Sequence, residues 1–408
     1  MSEKLSMKAA AVSDLREIAR RRIPKWIFDY VDGGSYEELT LSANRRDLDA
    51  LSFDQRVLEN VSTRNKETTL AGQEAKLPLI IAPTGLAGFV HPHGEIHAAK
   101  AAEAMGIPYC LSTVSICSIE DVAAETSVPF WFQLYIMRDR VATLTLIERA
   151  QRAGCSTLVV TLDLPIQAQR HMDIRNGLKI PMRFDLRQLL EMATKPGWTL
   201  GTVAANRYQF GNLTDLVGKS TGMSSFARWV AESFDPSVTE DDIAWVRKHW
   251  KGKLVLKGIM SVRDAQKAKR AGADAIVVSN HGGRQLDGAR SSILALGEIA
   301  SQKGIPEILF DSGVRTGQDV LKALASGARG AMIGRAHLYG LGAAGEAGVR
   351  RCIQILAAEL DVSMALTGQT DVSRISAEIL IPNLHHGKAA DQVSEKNGVG
   401  LPRATAVA

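Results

Sequence analysis

The residues best suited to chemistry in this sequence lie in one short run, Ser279-Asn280-His281-Gly282-Gly283-Arg284. A histidine such as His281 can act as a base near neutral pH. Arg284, three residues later, carries a planar guanidinium group that suits a carboxylate. The two glycines between them allow the backbone to approach a ligand closely. The run predicts proton transfer on an acidic substrate, and a turn with a surface histidine and arginine is the simpler alternative.

Three other charged side chains are candidates, and two of them, Asp163 and Lys257, directly follow apolar or β-branched runs. Asp163 would stabilise a protonated histidine and fix its orientation if it lay beside His281, whereas an isolated aspartate there would be a helix N-cap or a loop salt bridge. Arg170, seven residues later, is either a second carboxylate clamp or a solvated surface arginine. Lys257 leaves the apolar run 254–256, and a buried lysine is rare unless an anion pairs with it. It would form a Schiff base with a substrate or support an anionic cofactor ring.

Glycines and arginines follow two later candidate strands, in Asp311-Ser312-Gly313-Val314-Arg315 and in Gly334-Arg335. Barrel proteins commonly bind phosphate at these positions, through loop amides and a helix N-terminus. The two arginines and two glycines suit a cofactor phosphate, and Asp311 suits sugar-like hydroxyl groups. Glycine turns also serve packing alone, so the pattern indicates a phosphate site without requiring one.

Eight short β-branched runs, mostly separated by helical patterns, would bring these side chains together. Each run ends with at least one hydroxyl, amide or ionisable side chain, and catalytic groups of an α/β barrel lie at these carboxyl ends. Eight consecutive units favour a TIM (β/α)8 barrel over an open doubly wound sheet. No GxGxxG motif follows the first run, which argues against a Rossmann NAD site. The candidate strands are residues 77–83, 108–113, 130–136, 157–163, 253–258, 275–280, 307–312 and 330–334.

Four helical patterns between these strands each end before a glycine, the usual C-terminal stop. They are residues 95–105, 139–153, 262–271 and 318–326. Residues 1–76 form a lead-in with an amphipathic helix around 15–31. Residues 164–252 are too long for a loop and are predicted to be an insertion, whose part 229–250 has the pattern of a barrel helix. Residues 1–384 would form one barrel domain, followed by a disordered tail at 385–408.

The overall composition is that of a soluble enzyme. The 408 residues carry a net charge of +5, and the basic residues are dispersed, so nucleic acid is not expected as a partner. The sequence contains no run long enough for a transmembrane helix and no signal peptide. Four scattered cysteines lack the spacing of a metal or redox site and indicate reduced core residues in a cytoplasmic protein.

These residues together resemble the family of FMN-dependent α-hydroxy-acid oxidases and dehydrogenases. The resemblance covers roughly residues 9–380, and the run 279–288, SNHGGRQLDG, is highly specific for it. Further matching segments are Phe28-Asp29-Tyr30-Val31-Asp32-Gly33-Gly34, Ala82-Pro83-Thr84-Gly85, Leu111-Ser112-Thr113, Trp131-Phe132-Gln133-Leu134-Tyr135, Thr161-Leu162-Asp163, Leu256-Lys257-Gly258 and residues 311–315.

The resemblance implies a role for each matching residue. His281 would remove a proton from the substrate while two electrons pass to the flavin, by a carbanion or a hydride route, and Asp163 would support the imidazolium. The residues that would hold the carboxylate are Arg284, Arg170 and Tyr30, with Tyr135 near the reacting hydroxyl. Lys257 would lie at the N1/O2 edge of the flavin. The other residues expected around FMN are Ala82, Pro83, Thr84, Ser112, Gln133, Thr161 and Ser279 at the ring, Asp311 at the ribityl chain, and Gly313, Arg315, Gly334 and Arg335 at the phosphate.

Departures from the family pattern bear on substrate and acceptor. Gly85 and Val114 stand where the plant-type glycolate oxidases are expected to carry larger residues. The resemblance is strongest to the bacterial branch that oxidises L-lactate to pyruvate, with the mandelate-oxidising branch as the near alternative. In that branch oxygen is a poor acceptor, so an external quinone is expected. An oxidase that releases hydrogen peroxide, a Schiff-base aldolase using Lys257 and a non-catalytic flavin-binding barrel remain the other possibilities.

Residues 178–222 carry six Lys or Arg against three Asp or Glu, interleaved with Met182, Phe184, Leu189, Leu190, Trp198 and Phe210. A basic, apolar segment too short to span a bilayer would lie on an anionic membrane surface. A lid over the active site is the alternative. The resemblance favours peripheral association with the cytoplasmic face of the inner membrane, and it implies a homotetramer.

Overall fold

Eight short parallel strands form the centre of the fold, and each is a buried run of mostly apolar or β-branched residues. The computed structural model describes residues 8–177, 185–214 and 233–382. The strands are β1 Leu79–Ile81, β2 Cys110–Ser112, β3 Trp131–Leu134, β4 Thr157–Thr161, β5 Lys253–Ile259, β6 Ala275–Val278, β7 Glu307–Phe310 and β8 Gly330–Ile333. All eight coincide with the eight predicted runs.

The eight strands close into a ring. They are hydrogen-bonded in the order β1-β8-β7-β6-β5-β4-β3-β2. A parallel bridge between Ile81 and Tyr109 joins β1 to the residue before β2, and the Ile81 amide donates to the Pro108 carbonyl at 3.0 Å. The prediction of a (β/α)8 barrel is confirmed.

The interior of the ring is a packed apolar core, because alternate residues of a strand point to opposite faces. The amino end of the ring is closed by the hairpin Thr68–Leu70 and Gln73–Ala75, which contributes Leu70 to this interior. Every strand contributes at least one side chain to the cluster, which includes Ile80, Cys110, Trp131, Val159, Val255, Val277, Leu309 and Met332.

A helix follows each strand and packs on the outside of the ring. The predicted glycine stops are confirmed, since Gly106, Gly154, Gly272 and Gly327 have φ of +63°, +74°, +84° and +101°. The eight helices are Gly94–Met105, Ile119–Glu125, Arg140–Arg152, Glu240–His249, Val262–Arg270, Ser292–Ala300, Gly317–Ala325 and Arg335–Leu366, the last interrupted by non-helical backbone at Ala344 and Gly345.

The prediction of one lead-in helix over residues 15–31 is wrong. The segment forms two helices, Val12–Arg22 and Lys25–Asp32, because Pro24 has no amide hydrogen to continue the first helix. A third lead-in helix, Leu39–Asp49, leads into the short strand Leu51–Phe53, which pairs antiparallel with Leu380–Pro382.

The insertion between β4 and β5 contributes the helices His171–Arg175, Leu186–Ala193 and Pro196–Ala205. The predicted helix 229–250 is too long, because the described helix begins at Glu240, after the turn Pro236-Ser237. Residues 178–184 and 215–222 of the predicted membrane or lid segment lie outside the described residues, as do residues 229–232 and the predicted tail 385–408. The remaining short helices are Ala87–Val90, Val372–Arg374 and Ala377–Ile379.

No helix in the described part of the chain is both long enough and apolar enough to cross a membrane. The four cysteines are all buried thiols, as predicted for core residues.

Candidate active site

A cavity of about 540 Å³ opens at the carboxyl end of the ring, where the loops after the strands meet. The lead-in helix Lys25–Asp32 and the insertion complete its wall. Most of the residues singled out in the sequence line it, namely Tyr30, Ala82, Pro83, Thr84, Ser112, Tyr135, Arg170, Lys257, His281, Arg284, Asp311, Gly313, Arg315, Gly334 and Arg335.

The histidine in this cavity is held by the aspartate that follows β4. His281 Nδ1 lies 2.8 Å from Asp163 Oδ1, and the His281 amide donates to Ser279 Oγ at 3.1 Å. His281 has φ of +59°, a left-handed conformation that places its side chain against the end of β4. Because Nδ1–H donates its hydrogen bond to the carboxylate, Nε2 is left as the proton acceptor.

Burial and the neighbouring charges have opposite effects on the pKa of His281, and likewise on the pKa of Asp163. Burial lowers the pKa of His281, and Asp163 offsets this only in part, so the pKa stays below its ordinary value of 6.5. Burial raises the pKa of Asp163, but His281 and Lys257 lower it by more, so this carboxyl group is ionised. A neutral imidazole beside a carboxylate is the state that accepts a proton near neutral pH.

Lys257 at the end of β5 belongs to a buried ionic cluster. Its Nζ lies 2.9 Å from Asp311 Oδ2 and donates to Ser279 Oγ at 2.8 Å. Ser279 Oγ in turn donates to Asp311 Oδ2 at 2.6 Å. Burial lowers the pKa of Lys257, but Asp311 and Asp163 raise it by more. A lysine that stays protonated is a poor nucleophile, which argues against the Schiff-base alternative.

Two arginines meet at the ring of Tyr30. The Arg284 guanidinium lies 4.7 Å from the ring centroid and donates through Nη1 to the carbonyls of Tyr30 and Gly33, at 2.6 and 2.9 Å. The Arg170 guanidinium lies 5.9 Å from the same ring, and its Nη1 is 3.9 Å from Asp173 Oδ2. Arg170 Nε is buried without an acceptor among the described residues. Burial and then Arg170 lower the pKa of Arg284 to about 10. An anion between the two guanidinium groups would therefore be stabilised.

Tyr135 at the end of β3 is a buried neutral phenol. Burial raises its pKa, with Asp163 as the next cause. Its ring packs against Phe234 with centroids 4.6 Å apart. A phenol that keeps its proton can donate a hydrogen bond to a substrate oxygen.

The loops after β7 and β8 form a positively charged corner. Ser312 and Gly313 have φ of +91° and +95°, so the first loop turns sharply beside the start of helix Arg335–Leu366. Burial, followed by Arg284 and Arg315, lowers the pKa of Arg335 to about 9. Crowded guanidinium groups at a helix N-terminus fit a phosphate, whose charge would relieve their repulsion.

The hydrogen bonds of Gln133 bear on whether a cofactor ring fits at the bottom of the cavity. Its Oε1 accepts hydrogen bonds from Ser112 Oγ at 3.1 Å and from the Thr113 amide at 3.2 Å. Its Nε2 is a buried donor with no acceptor among the described residues, behind Ser112, which lines the cavity. Buried polar atoms are normally paired, so an acceptor brought in by a cofactor ring beside Ser112 would complete this group. This donor, the protonated Lys257 and the crowded guanidinium groups of Arg315 and Arg335 together fit FMN.

Four of the predicted site residues do not line this cavity. Asp163, Gln133 and Ser279 support it from behind, through hydrogen bonds to His281, Ser112 and Lys257. Thr161 instead lines a second cavity of about 320 Å³, which shares Tyr135 and Phe234 with the first.

Sequence reasoning missed several residues that line the main cavity. Asp173 stands one helical turn after Arg170, a spacing that would have suggested a partner for that arginine. Phe210 and Phe234 come from the insertion, and no local pattern in the sequence directs them toward the site. Further apolar residues of this wall that were given no position in it include Val114, Leu164, Ile174 and Leu338.

Comparison with known proteins gives a consistent result. The family model for FMN-dependent dehydrogenases matches residues 19–382. An L-lactate dehydrogenase of Caulobacter vibrioides (strain NA1000 / CB15N) is 46% identical over 376 residues, which are 92% of this chain and 98% of that protein. An L-lactate dehydrogenase of Pseudomonas syringae pv. syringae (strain B728a) is 44% identical over 377 residues, with coverages of 92% and 99%. The crystal structure of a monotopic membrane protein, (S)-mandelate dehydrogenase, superposes with a TM-score of 0.88 at 35% identity, covering 92% of this chain and all of that one.

Proposed function

Because the chain belongs to the FMN-dependent dehydrogenase family, we propose that it oxidises L-lactate to pyruvate and passes the electrons to an external quinone. The oxidation removes two electrons and two protons from the carbon and hydroxyl group of lactate. When bound, FMN accepts the two electrons. The observation that carries the proposal is that His281, held by Asp163, and the arginines Arg284 and Arg170 face one cavity.

The protein side chains bind the acid and move its proton. Arg284, Arg170 and Tyr30 hold the carboxylate, which fixes the reacting carbon near His281. His281 Nε2 takes one of the two protons, that of the carbon in a carbanion route or that of the hydroxyl group in a hydride route, and Asp163 stabilises the imidazolium that forms. The other proton would go to bound FMN together with the two electrons. Tyr135 donates a hydrogen bond to the hydroxyl oxygen and resists ionisation because it is buried.

The cofactor is held by the strands on the other side of the cavity. We assign the ring to Ala82, Pro83, Thr84, Ser112 and Gln133, whose unpaired Nε2 supports this placement. Lys257 would lie beside the bound ring, where its positive charge would stabilise extra electron density. Asp311 would lie at the ribityl chain. The residues that hold the phosphate are Gly313, Arg315, Gly334 and Arg335. We keep Thr161 and Ser279 as supporting residues on the ring side of the cofactor site.

Lactate is favoured over mandelate by the relatives. The two lactate dehydrogenases are 46% and 44% identical to the chain, against 35% for the mandelate dehydrogenase. The likeness to a mandelate dehydrogenase keeps mandelate as the second candidate substrate.

A steady-state comparison of L-lactate, glycolate and L-mandelate tests this proposal, with an artificial dye as the electron acceptor. We expect the highest kcat/KM with L-lactate. A higher kcat/KM with L-mandelate would assign the chain to the second candidate, and equal values for all three acids would refute the proposed specificity.

The insertion supports a membrane contact and hence a lipid-soluble acceptor. Leu186, Leu190 and Leu200, on helices Leu186–Ala193 and Pro196–Ala205, are 74%, 63% and 70% exposed. Exposed apolar side chains on a basic segment suit the surface of an anionic membrane. Trp198 and Phe210, which the sequence grouped with this apolar surface, are instead buried and pack toward the barrel. Phe210 and Ile174 line the cavity, so the insertion is also proposed to act as a lid.

The acceptor and the assembly each have a direct measurement. We propose association with the cytoplasmic face of the inner membrane and transfer to quinone, so turnover in air should release little hydrogen peroxide. Peroxide in amounts equal to the pyruvate formed would instead identify an oxidase. The homotetramer, proposed from the family resemblance, predicts a solution mass of four chains.

A further inference from the structure

The guanidinium group of Arg335 is held by the backbone on three sides. Its Nε donates to the Asp32 carbonyl at 3.2 Å, Nη1 to the Gly282 carbonyl at 2.9 Å, and Nη2 to the Gly33 carbonyl at 2.6 Å. The side chain is 8% exposed and lies at the first residue of the final helix. Only a planar group with several donors can bridge three carbonyls in this way.

These three carbonyls belong to the two segments that carry the substrate-binding residues. Gly33 O also accepts from Arg284 Nη1 at 2.9 Å, so one carbonyl joins the two guanidinium groups. Gly282 directly follows His281, and a Cβ on Gly282 would stand 2.7 Å from Arg335 Nη1. A displacement of Arg335 would therefore move both Arg284 and the backbone of the base.

The turn that supplies the Asp32 and Gly33 carbonyls is itself fixed. The Asp32 carboxylate accepts from Arg16 Nε and Nη2 at 2.8 and 2.6 Å, and from the Tyr339 hydroxyl at 2.6 Å. Tyr339 lies one helical turn after Arg335. The same helix therefore fixes the turn through Tyr339 and carries the guanidinium group of Arg335.

We propose that Arg335 is a positioning residue of the substrate site, which fixes Arg284 and the backbone after His281 through the carbonyls of Asp32, Gly33 and Gly282. This role adds to any contact of Arg335 with the cofactor phosphate, and it rests on the proposed function of Arg284 as the carboxylate clamp. Through Arg335, the positions of the substrate-binding residues would depend on the loop and helix that hold the phosphate.

Two variants separate geometry from charge. Arg335→Lys keeps the positive charge but cannot bridge three carbonyls, whereas Arg335→Gln keeps a planar donor group without the charge. We expect both to raise the KM for L-lactate, and the dissociation constant of oxalate as an unreactive anion, by about tenfold, the size of a lost charge-assisted hydrogen bond. The FMN dissociation constant, measured by fluorescence on rebinding to the FMN-free protein, should change less than about threefold in Arg335→Lys.

Arg351→Lys is the matched control, because Arg351 lies on the same helix and donates through Nε and Nη2 to the Ala9 carbonyl, at 3.0 and 2.7 Å, outside the cavity. It should leave the KM for L-lactate and the dissociation constants of oxalate and FMN unchanged. The proposal is overturned if Arg335→Lys leaves KM and oxalate binding at wild-type values.

If neither Arg335 variant folds, Tyr339→Phe, which releases the Asp32 carboxylate, should raise the oxalate dissociation constant, and an unchanged value would overturn the proposal. A wild-type protein that binds oxalate but is not reduced by L-lactate would refute the proposed function and leave the role of Arg335 open to the same binding test.

Discussion

His281 depends on two residues that come from different strands and that no local pattern connects to it. Asp163 follows β4 and reaches Nδ1 at 2.8 Å, and Gly258 at the end of β5 leaves the space for its carboxylate. His281 and Arg284 were predictable because they lie in one specific run. Asp173, Phe210 and Phe234 were not, because their place in the cavity depends on how the insertion folds back over the ring.

Replacing Asp163 by Asn should lower kcat and move the acidic limb of the pH profile. Wild-type kcat/KM should fall only as the pH drops through the lowered pKa of His281, below 6.5. Asp163 raises that pKa, so its loss should shift the limb to lower pH while kcat falls by about 10²–10⁴, because the imidazolium is no longer stabilised. A limb that stays in place or moves to higher pH would contradict the assigned pairing.

Replacing Gly258 by Ala should distort the support of the base. A Cβ there would stand 2.7 Å from Asp163 Cβ, and the residue has φ of +102°. We expect a loss of about 1–3 kcal/mol in the free energy of unfolding and a lower kcat. Gly297→Ala is the matched control, since it lies in helix Ser292–Ala300 with nothing within 4 Å of the added Cβ. Equal effects of the two substitutions on kcat would argue against the role given to Gly258.

At the scale of elements, the strands were predictable because buried parallel strands are continuous apolar runs with polar ends. Helices that end at glycine were located to within one or two residues for the same local reason. The prediction of one lead-in helix was wrong because its apolar spacing continues through Pro24. The predicted helix 229–250 was too long because the turn Pro236-Ser237 interrupts a helical pattern.

Trp198 is expected to anchor the insertion to the barrel. Its Nε1 donates to the Phe89 carbonyl at 2.8 Å, and its ring meets Trp26 edge to face at 5.9 Å. Trp198→Ala should lower the free energy of unfolding by about 3–5 kcal/mol. It should also release the helices Leu186–Ala193 and Pro196–Ala205 from the barrel. Limited proteolysis should then cut the insertion faster, whereas Leu200→Ala, an exposed control on the same helix, should leave the rate unchanged. Equal rates for both variants would show that Trp198 is not the anchor.

At the scale of the whole molecule, one apolar core runs from the lead-in helices to the last residues of the described chain, from Ala9 to Ile379. This supports the proposal that residues 1–384 form one domain. The ring places every catalytic candidate at one end and closes the other with a hairpin, so substrate, cofactor and membrane surface are expected at the same end.

Replacing the exposed leucines of the insertion should weaken membrane binding without changing the reaction with L-lactate. The variant Leu186→Ser, Leu189→Ser, Leu190→Ser should sediment less with anionic phospholipid vesicles, because each leucine is about half exposed or more. Its reduction by L-lactate in solution should match the wild type. Leu294→Ser, exposed on a helix of the ring, is the control. Unchanged sedimentation of the triple variant would refute the membrane contact.

The proposed reaction is tested most directly by mixing the FMN-loaded protein with L-lactate in the absence of oxygen and following its yellow colour. We expect rapid bleaching with L-lactate, none with D-lactate, and bleaching slowed by about 10²–10⁴ in His281→Gln with FMN still bound. Equal bleaching by both enantiomers, or wild-type bleaching in His281→Gln, would contradict a stereospecific oxidation in which this histidine takes a proton from the substrate.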